Sequence, residues 1–402
     1  MKKANNLRVP YGQAVHGEEE KKAIIRVLDE HRTITGKETE RFEERVSKIF
    51  GKKFGIAVNS GSSANLLAVR LLNLAKGSEV ITPLLTFSTT VSPIIQNDLV
   101  PVFVDVKVGT YQIDVDQIEK NITKKTKALM IPSLIGNVPD LKRIKQIAKK
   151  HKLFFIEDSC DTLGATFEGK PSGYYSDIST ISFYGSHIIT AGGNGGMLMV
   201  NSKQWRDRAK VLRGWGRTSS IFSESESLDK RFSRKINGIQ YDGKFIFDAI
   251  GYNFMPMELG FAFGNVQLDK LDKFKKIREK NFNSLLSFLK GYENFFVLPN
   301  QDPRVRTQWL AFALTIKEGA PFKRLEIVTF LEQNNIQTRP IFTGNILLQP
   351  GFKNINAKAN GNYPNTNNIM KNSFLVGCHH GLNKQQIDKL KEVFTIFLKK
   401  YA

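Results

Sequence analysis

A largely parallel α/β sheet in a large domain, followed by a smaller α+β domain, is the fold class that the sequence predicts. Three observations carry it. From about residue 17 to 200, helical patterns alternate with short apolar runs. Those runs are continuous rather than alternating, as in strands covered on both faces. Beyond about residue 270 the rhythm changes to a mixture of short strands and helices. At 402 residues the chain is long enough for two domains, and the change of rhythm puts them at 1–269 and 270–402.

Taken in order, 18–30 and 38–49 have helical spacing, Phe54–Val58 reads as a strand, and 63–74 as a helix. Further apolar runs follow at 80–82, 102–105, 128–131, 153–157 and 178–183, with helical patterns between most of them. Helical patterns over 257–288 lead out of the sheet. The remainder offers strands at 309–316 and 336–339 and helices at 323–333 and 384–399. There are no repeats, low-complexity tracts or long Pro/Ser linkers.

Composition narrows the function classes. No apolar run is long enough to span a membrane, and the first six residues lack the apolar core of a signal peptide, so a cytoplasmic protein is expected. Two cysteines, Cys160 and Cys378, cannot build a disulfide framework or a four-cysteine iron–sulfur or zinc site. The formal charge of +21 invites a nucleic-acid reading. The lysines, however, are scattered over helical stretches such as 142–152 and 270–280, without interleaved aromatics, so we read them as solvated surface. Such a field would still attract a polyanionic small substrate.

In a sheet of this kind ligands gather at the carboxyl ends of strands and at helix N-termini. Asn59-Ser60-Gly61-Ser62-Ser63-Ala64-Asn65 follows a strand and opens a helix. Its small residues let backbone N–H groups approach a phosphate, which the helix dipole favours; a plain serine N-cap is the competing reading. Phe154-Phe155-Ile156-Glu157-Asp158-Ser159-Cys160-Asp161 ends an apolar strand in acids. A carboxylate there is costly unless it meets a cation such as a protonated pyridine nitrogen, and a helix cap or surface salt bridge competes. A third segment, Ser182 to Gly196, carries His187 in a glycine-rich stretch. A lone histidine after a strand is more often structural than catalytic.

All three segments appear in the order and spacing of one family. From about Gly36 to the C-terminus the chain resembles the DegT/DnrJ/EryC1/StrS sugar aminotransferases, which use pyridoxal phosphate. Val104-Asp105-Val106, Thr110-Tyr111, Gly251-Tyr252-Asn253 and Thr338-Arg339-Pro340 extend the match. The resemblance implies aminotransferase fold type I. In that family a lysine five residues after the phosphate-binding serine holds the cofactor covalently; here Ser182 plus five is His187. An imidazole cannot make that bond, but it can move protons near neutral pH. Lysine-to-histidine replacement marks a subgroup, the 3-dehydratases of nucleotide-activated 4-keto-6-deoxyhexoses in deoxysugar, O-antigen and lipopolysaccharide synthesis. One kind acts on a CDP-sugar with a two-iron cluster and a reductase, its cysteines following a Trp-Gly-Arg stretch. The other kind acts on GDP-4-keto-6-deoxymannose without a cluster. This chain has no cysteine from Trp215 through Ser223, so it is closer to the second kind, and no metal is expected. Asn194, in place of the family's usual acid, and Met255, in place of its arginine, depart from the pattern.

The resemblance implies pyridoxamine phosphate or pyridoxal phosphate held without a covalent link. Gly61, Ser62 and Ser182 would take the phosphate, with Asn253 reaching across from the second subunit of a homodimer. Phe87 would stack on the ring, unless it is simple core packing. Asp158 would meet the pyridine nitrogen and Asp161 the ring hydroxyl. His187 would act as base and then as acid toward the departing C3 hydroxyl, with L-glutamate renewing the amine. Arg339 and Asn345 would contact the nucleotide-sugar substrate. His379 and His380 would either enter the site or form a satisfied structural pair. An ordinary sugar aminotransferase and a reductase-dependent CDP-sugar 3-dehydrase are the alternatives.

Overall fold

The computed structural model describes residues 7–222 and 227–401; the first six residues and Ser223, which entered the argument above, lie outside the described residues. Seven strands build the main sheet: β1 (Phe54–Val58), β2 (Glu79–Pro83), β3 (Val100–Val104), β4 (Thr126–Pro132), β5 (Phe154–Asp158), β6 (Ile178–Ser182) and β7 (Gly196–Val200). Their spatial order is β1-β7-β6-β5-β4-β2-β3. Every residue of β2 and β3 is buried, as the continuous apolar runs predict for strands covered on both faces. The sheet is parallel except at β7, which runs antiparallel to both β1 and β6. β7 is a strand that the sequence reading did not assign. Its five residues directly follow a glycine-rich stretch and show no alternation to mark them.

Helices cover the sheet: α1 (Glu18–Asp29), α2 (Lys37–Ile49), α3 (Gly61–Leu71), α4 (Ser88–Gln96), α5 (Leu141–His151), α6 (Lys203–Arg213) and α7 (Glu258–Asp269). The start of α2 is capped from outside. The buried Glu258 carboxylate accepts from the N–H groups of Gly36 at 2.8 Å, Glu38 at 2.6 Å and Thr39 at 3.1 Å. That satisfies donors which a helix N-terminus leaves open, and the anion suits the dipole. The expected helix 63–74 is shifted: it starts at Gly61, because the Ser60 hydroxyl accepts from Ser63 N–H at 3.1 Å, and it ends at Leu71, just before the positive-φ residue Asn73. The helical patterns at 257–288 form two helices, α7 and α8 (Leu271–Leu289), separated at Lys270, whose ammonium reaches the buried Glu20 of α1 at 2.8 Å.

Beyond α8, strands β8 (Phe296–Val297), β9 (Phe312–Ile316), β10 (Thr338–Arg339) and β11 (Ser373–Val376) form an antiparallel sheet in the order β8-β9-β11-β10. It is flanked by α9 (Arg324–Gln333), α10 (Pro364–Asn372) and α11 (Lys384–Leu398). The strand expected at 309–316 loses its first residues to tertiary contacts, since Leu310 N–H donates to Ile135 at 2.8 Å. The one expected at 336–339 shortens to Thr338–Arg339, while Ile336 makes a parallel bridge to Val9. One apolar core joins this sheet to the main one, with Tyr111 and Ile135 packed among Phe312, Leu314, Ile336 and Phe374. No helix among the described residues is long and apolar enough to cross a membrane.

Candidate active site

At the carboxyl ends of β5 and β6 and the start of α3 lies a cavity of about 510 Å³. Gly61, Ser62, Phe87, Asp158, Asp161, Ser182 and His187 all line it, so seven residues named from sequence meet in one place.

Close packing of backbone shapes its floor. A Cβ on Gly61 would stand 2.6 Å from Ser182 Cβ and 2.9 Å from Cys160 Sγ, so the first residue of α3 must be glycine for the three segments to converge. A Cβ on Gly196 would meet the Ser60 carbonyl oxygen at 2.2 Å, which is what the glycine-rich stretch before β7 accommodates. The serine-cap reading holds for Ser60. Gly61 and Ser62, in the first turn, have N–H groups without partners inside the helix, and the Ser62 hydroxyl donates to Thr89 at 3.1 Å.

Asp158 is 4% exposed and makes no ion pair among the described residues. Its Oδ2 accepts from Asn65 Nδ2 and Thr90 Oγ1, both at 2.8 Å, and its Oδ1 from the Cys160 N–H at 3.2 Å. Asn65 in turn accepts from the Thr180 hydroxyl at 2.6 Å. Four elements, α3, α4, β5 and β6, therefore orient one carboxylate, and neither a helix cap nor a surface salt bridge describes it. Asp161 is held through the Ile135 N–H at 3.0 Å, and burial, aided by the nearby Asp158, pushes its carboxyl up to about 7.

His187 follows β6 in a loop closed by Phe183 N–H to Gly195 at 2.8 Å and Ala191 N–H to Phe183 at 3.1 Å. Its Nδ1 is buried with no hydrogen-bond partner. Burial pulls its proton affinity down to about 4, with Arg278 acting in the same sense and backbone carbonyls of Ser182 and Cys160 against it. Tyr184 meets the imidazole edge-on at 5.9 Å between ring centres.

Phe87 is not core: it is 53% exposed and stands edge-on to Phe342 at 6.4 Å. Together with Tyr11 these rings separate the cavity from a second recess of about 550 Å³ that contains Arg339. The Arg339 guanidinium lies 5.8 Å from the centre of the Tyr11 ring. Asn345 and Asn253 line neither recess. Asn345 is buried, donating to Asn367 at 2.8 Å and capping the turn at 346–348. Asn253 is exposed beside Gly214. His379 and His380 are buried away from the cavity. Asn194 lines it, and the Met255 N–H only turns back to Asn253 at 3.4 Å.

Sequence reasoning missed Asn65, Thr90, Tyr11, Phe342 and Arg278. Asn65 carried a usable signal, being an amide one helical turn after Gly61 on an otherwise apolar face. The others come from segments with no motif. The residues present fit a phosphorylated pyridine: donors at a helix start, a braced carboxylate, an exposed ring and an orphan imidazole nitrogen. No lysine lines the cavity among the described residues.

A family model described as the DegT/DnrJ/EryC1/StrS aminotransferase family matches residues 15–395. The lipopolysaccharide biosynthesis protein RfbH of Salmonella typhimurium is 36% identical over 399 residues, covering 96% of this chain and 91% of the relative. GDP-4-keto-6-deoxy-D-mannose 3-dehydratase of Escherichia coli O55:H7 is 31% identical over 399 residues, covering 96% and 99%. A solved structure of GDP-4-keto-6-deoxymannose-3-dehydratase with a trapped PLP–glutamate geminal diamine aligns with TM-score 0.86 at 29% identity, over 96% of this chain and 99% of that one.

Proposed function

The chain belongs to the DegT/DnrJ/EryC1/StrS aminotransferase family, its cofactor is pyridoxal phosphate or the amine form, and from that premise we propose that it is a dehydratase. Its substrate is a nucleotide-activated 4-keto-6-deoxyhexose, and it removes the hydroxyl at carbon 3. One observation supports the reading: His187, five residues after Ser182 where the resemblance implies a cofactor-binding lysine, lines the cavity, and no lysine lines it among the described residues.

Gly61, Ser62 and Ser182 would hold the phosphate, Phe87 would cover the ring, Asp161 would serve the ring hydroxyl and Asp158 the pyridine nitrogen. Held there without a covalent link, the cofactor would supply an amine and a ring that takes up electrons. The Asn65 and Thr90 donors hold the Asp158 carboxylate aimed into the cavity. His187, neutral at rest because it is buried, accepts a proton; once charged, it is a strong acid and delivers a proton to the oxygen leaving sugar carbon 3. Arg339, in the adjoining recess, serves the nucleotide sugar, whereas Asn345 lines neither recess and is given no substrate role. L-glutamate, present as an adduct in the neighbouring structure, is the amino donor.

The active form is a homodimer in the cytoplasm. Phe245, Phe247, Ile250 and Met257 expose 53%, 54%, 91% and 63% of their surface around Asn253, an apolar patch that a second copy would cover. Each chain divides into a cofactor lobe of 1–269 and a smaller lobe of 270–402, meeting at Lys270.

The test is mass spectrometry of the product made from GDP- and CDP-4-keto-6-deoxyhexoses with glutamate present. Loss of water from the sugar supports the proposal, and the preferred nucleotide emerges from the same assay. A 4-amino sugar would make the protein an aminotransferase. Turnover that needs iron and a reductase would place it with the reductive dehydrases.

A further inference from the structure

Arg278, on α8, is fully buried, with an exposure of 0%, and no carboxylate lies in ion-pair range of it among the described residues. A buried guanidinium without a counter-ion is costly, and a neutral side chain would fill the space at less expense of stability. What it touches is informative. Its Nη2 donates to the His187 carbonyl at 3.2 Å, its Nη1 to the carbonyls of Trp309 and Leu310 at 3.3 and 3.2 Å, and its Nε to His380 Nδ1 at 3.1 Å. Leu310 itself lines the cavity.

The two histidines therefore have a task outside the cavity. His380 accepts through Nδ1 and stacks on Phe274 at 3.9 Å between ring centres, and His379 accepts from the Gly381 N–H at 3.2 Å. Burial keeps both neutral, so His380 braces the guanidinium, and His379 the turn beside it, without adding charge. Tyr11 and Cys378 also face it, and burial raises both groups, so that each stays protonated and neutral.

We propose that Arg278 is a positioning residue for His187. Its guanidinium holds the His187 backbone against the 309–310 segment and the His380 ring, and places a charge without a carboxylate in ion-pair range, among the described residues, directly behind the loop that carries the imidazole. The groups facing that imidazole are Asp158 and Cys160 from the end of β5, Tyr184 in its own loop and Arg278 from α8. Burial opposes the charged form most, hydrogen bonds to the backbone of Ser182 and Cys160 favour it, Arg278 adds to burial, and Asp158 opposes Arg278. The same charge makes the imidazolium a stronger acid once formed. The catalytic consequence rests on the dehydratase reading; the clamp and the charge effect do not.

The experiment is an NMR titration of histidine-labelled protein, with the His187 signal identified by its absence in His187→Asn. Amide exchange over 184–195 is followed in the same samples. Arg278→Gln should move the His187 midpoint up by about one pH unit. Arg278→Lys keeps the charge but offers fewer donors, so its midpoint should stay low while exchange in the loop accelerates. An unchanged midpoint in folded Arg278→Gln would overturn the charge effect. Should that variant not fold, Arg278→Lys decides alone: unaltered loop exchange would overturn the clamp. In sugar turnover, the acidic limb of the pH profile should follow the NMR midpoint. NMR shifts as expected in a protein that dehydrates no sugar would sink the function and leave the positioning role standing. Dehydration with an unmoved midpoint would do the reverse.

Discussion

The end of β5 and the loop that carries His187 line one cavity and are built by different means. Asp158 has its oxygens met by Asn65, Thr90 and the Cys160 N–H, so the protein fixes the direction of a carboxylate. His187 has its Nδ1 without a partner, and burial outweighs the hydrogen bonds to the Ser182 and Cys160 backbone, so its imidazole is neutral at rest. One group is aimed by its neighbours, and the other is left free to take up a proton.

The contrast breaks most visibly at the proton carrier. His187→Asn keeps a similar volume without a titrating group and should lower sugar turnover by about 10²–10⁴-fold, with cofactor absorbance retained. Unchanged dehydration, assayed by product mass spectrometry, would remove His187 from the chemistry. His187→Lys should gain a borohydride-reducible bond to the cofactor that the wild-type protein lacks. On the other side, Asp158→Asn preserves shape and removes charge. Turnover should fall on the order of a thousandfold, equivalent to about 4 kcal/mol. Near-normal turnover would mean that the braced carboxylate serves something other than the pyridine nitrogen.

The third prediction uses pH. Asp161 is raised from 3.8 to about 7 in the folded protein, so the native state binds more protons than the unfolded one between those values. Stability tied to Asp161 is therefore present at low pH and lost as pH rises through 7. Asp161→Asn apoprotein should match wild type near pH 4 and exceed it by roughly 3–4 kcal/mol at pH 8 in denaturant unfolding. His187 has the opposite sign: lowered from 6.5 to about 4, it loses stability as pH falls through that window. A stability gap for Asp161→Asn that is flat with pH would refute the assignment. The smallest effect is expected at the brace. Thr90→Val removes one donor from Asp158 and should cost about 1.5–3 kcal/mol of stability, with turnover reduced less than in Asp158→Asn.

Much of this was legible beforehand, and the residues show why. Gly61, Ser62, Asp158, Ser182 and His187 belong to strand-end and helix-start segments, where local chain geometry ties a motif to a place. Phe87 and Asp161 were reached through the resemblance and line the same cavity. Asn345 and Asn253 were reached the same way, and neither lines it. Thr90, Tyr11 and Arg278 arrive from three widely separated segments, and no spacing rule connects them.

The sequence by itself determined the α/β class, most of the strands and the place of His187 five residues after Ser182, in a glycine-rich stretch. These are consequences of local pattern: apolar runs, helix starts and one residue counted from another. Tertiary structure decided that β7 runs antiparallel, that the helical patterns at 257–288 divide at Lys270, and that Asp158 is braced while the His187 Nδ1 is left without a partner. Burial and hydrogen bonding join groups distant in the chain, so the charge state of an acid or an imidazole is set by neighbours that the chain brings together only when folded.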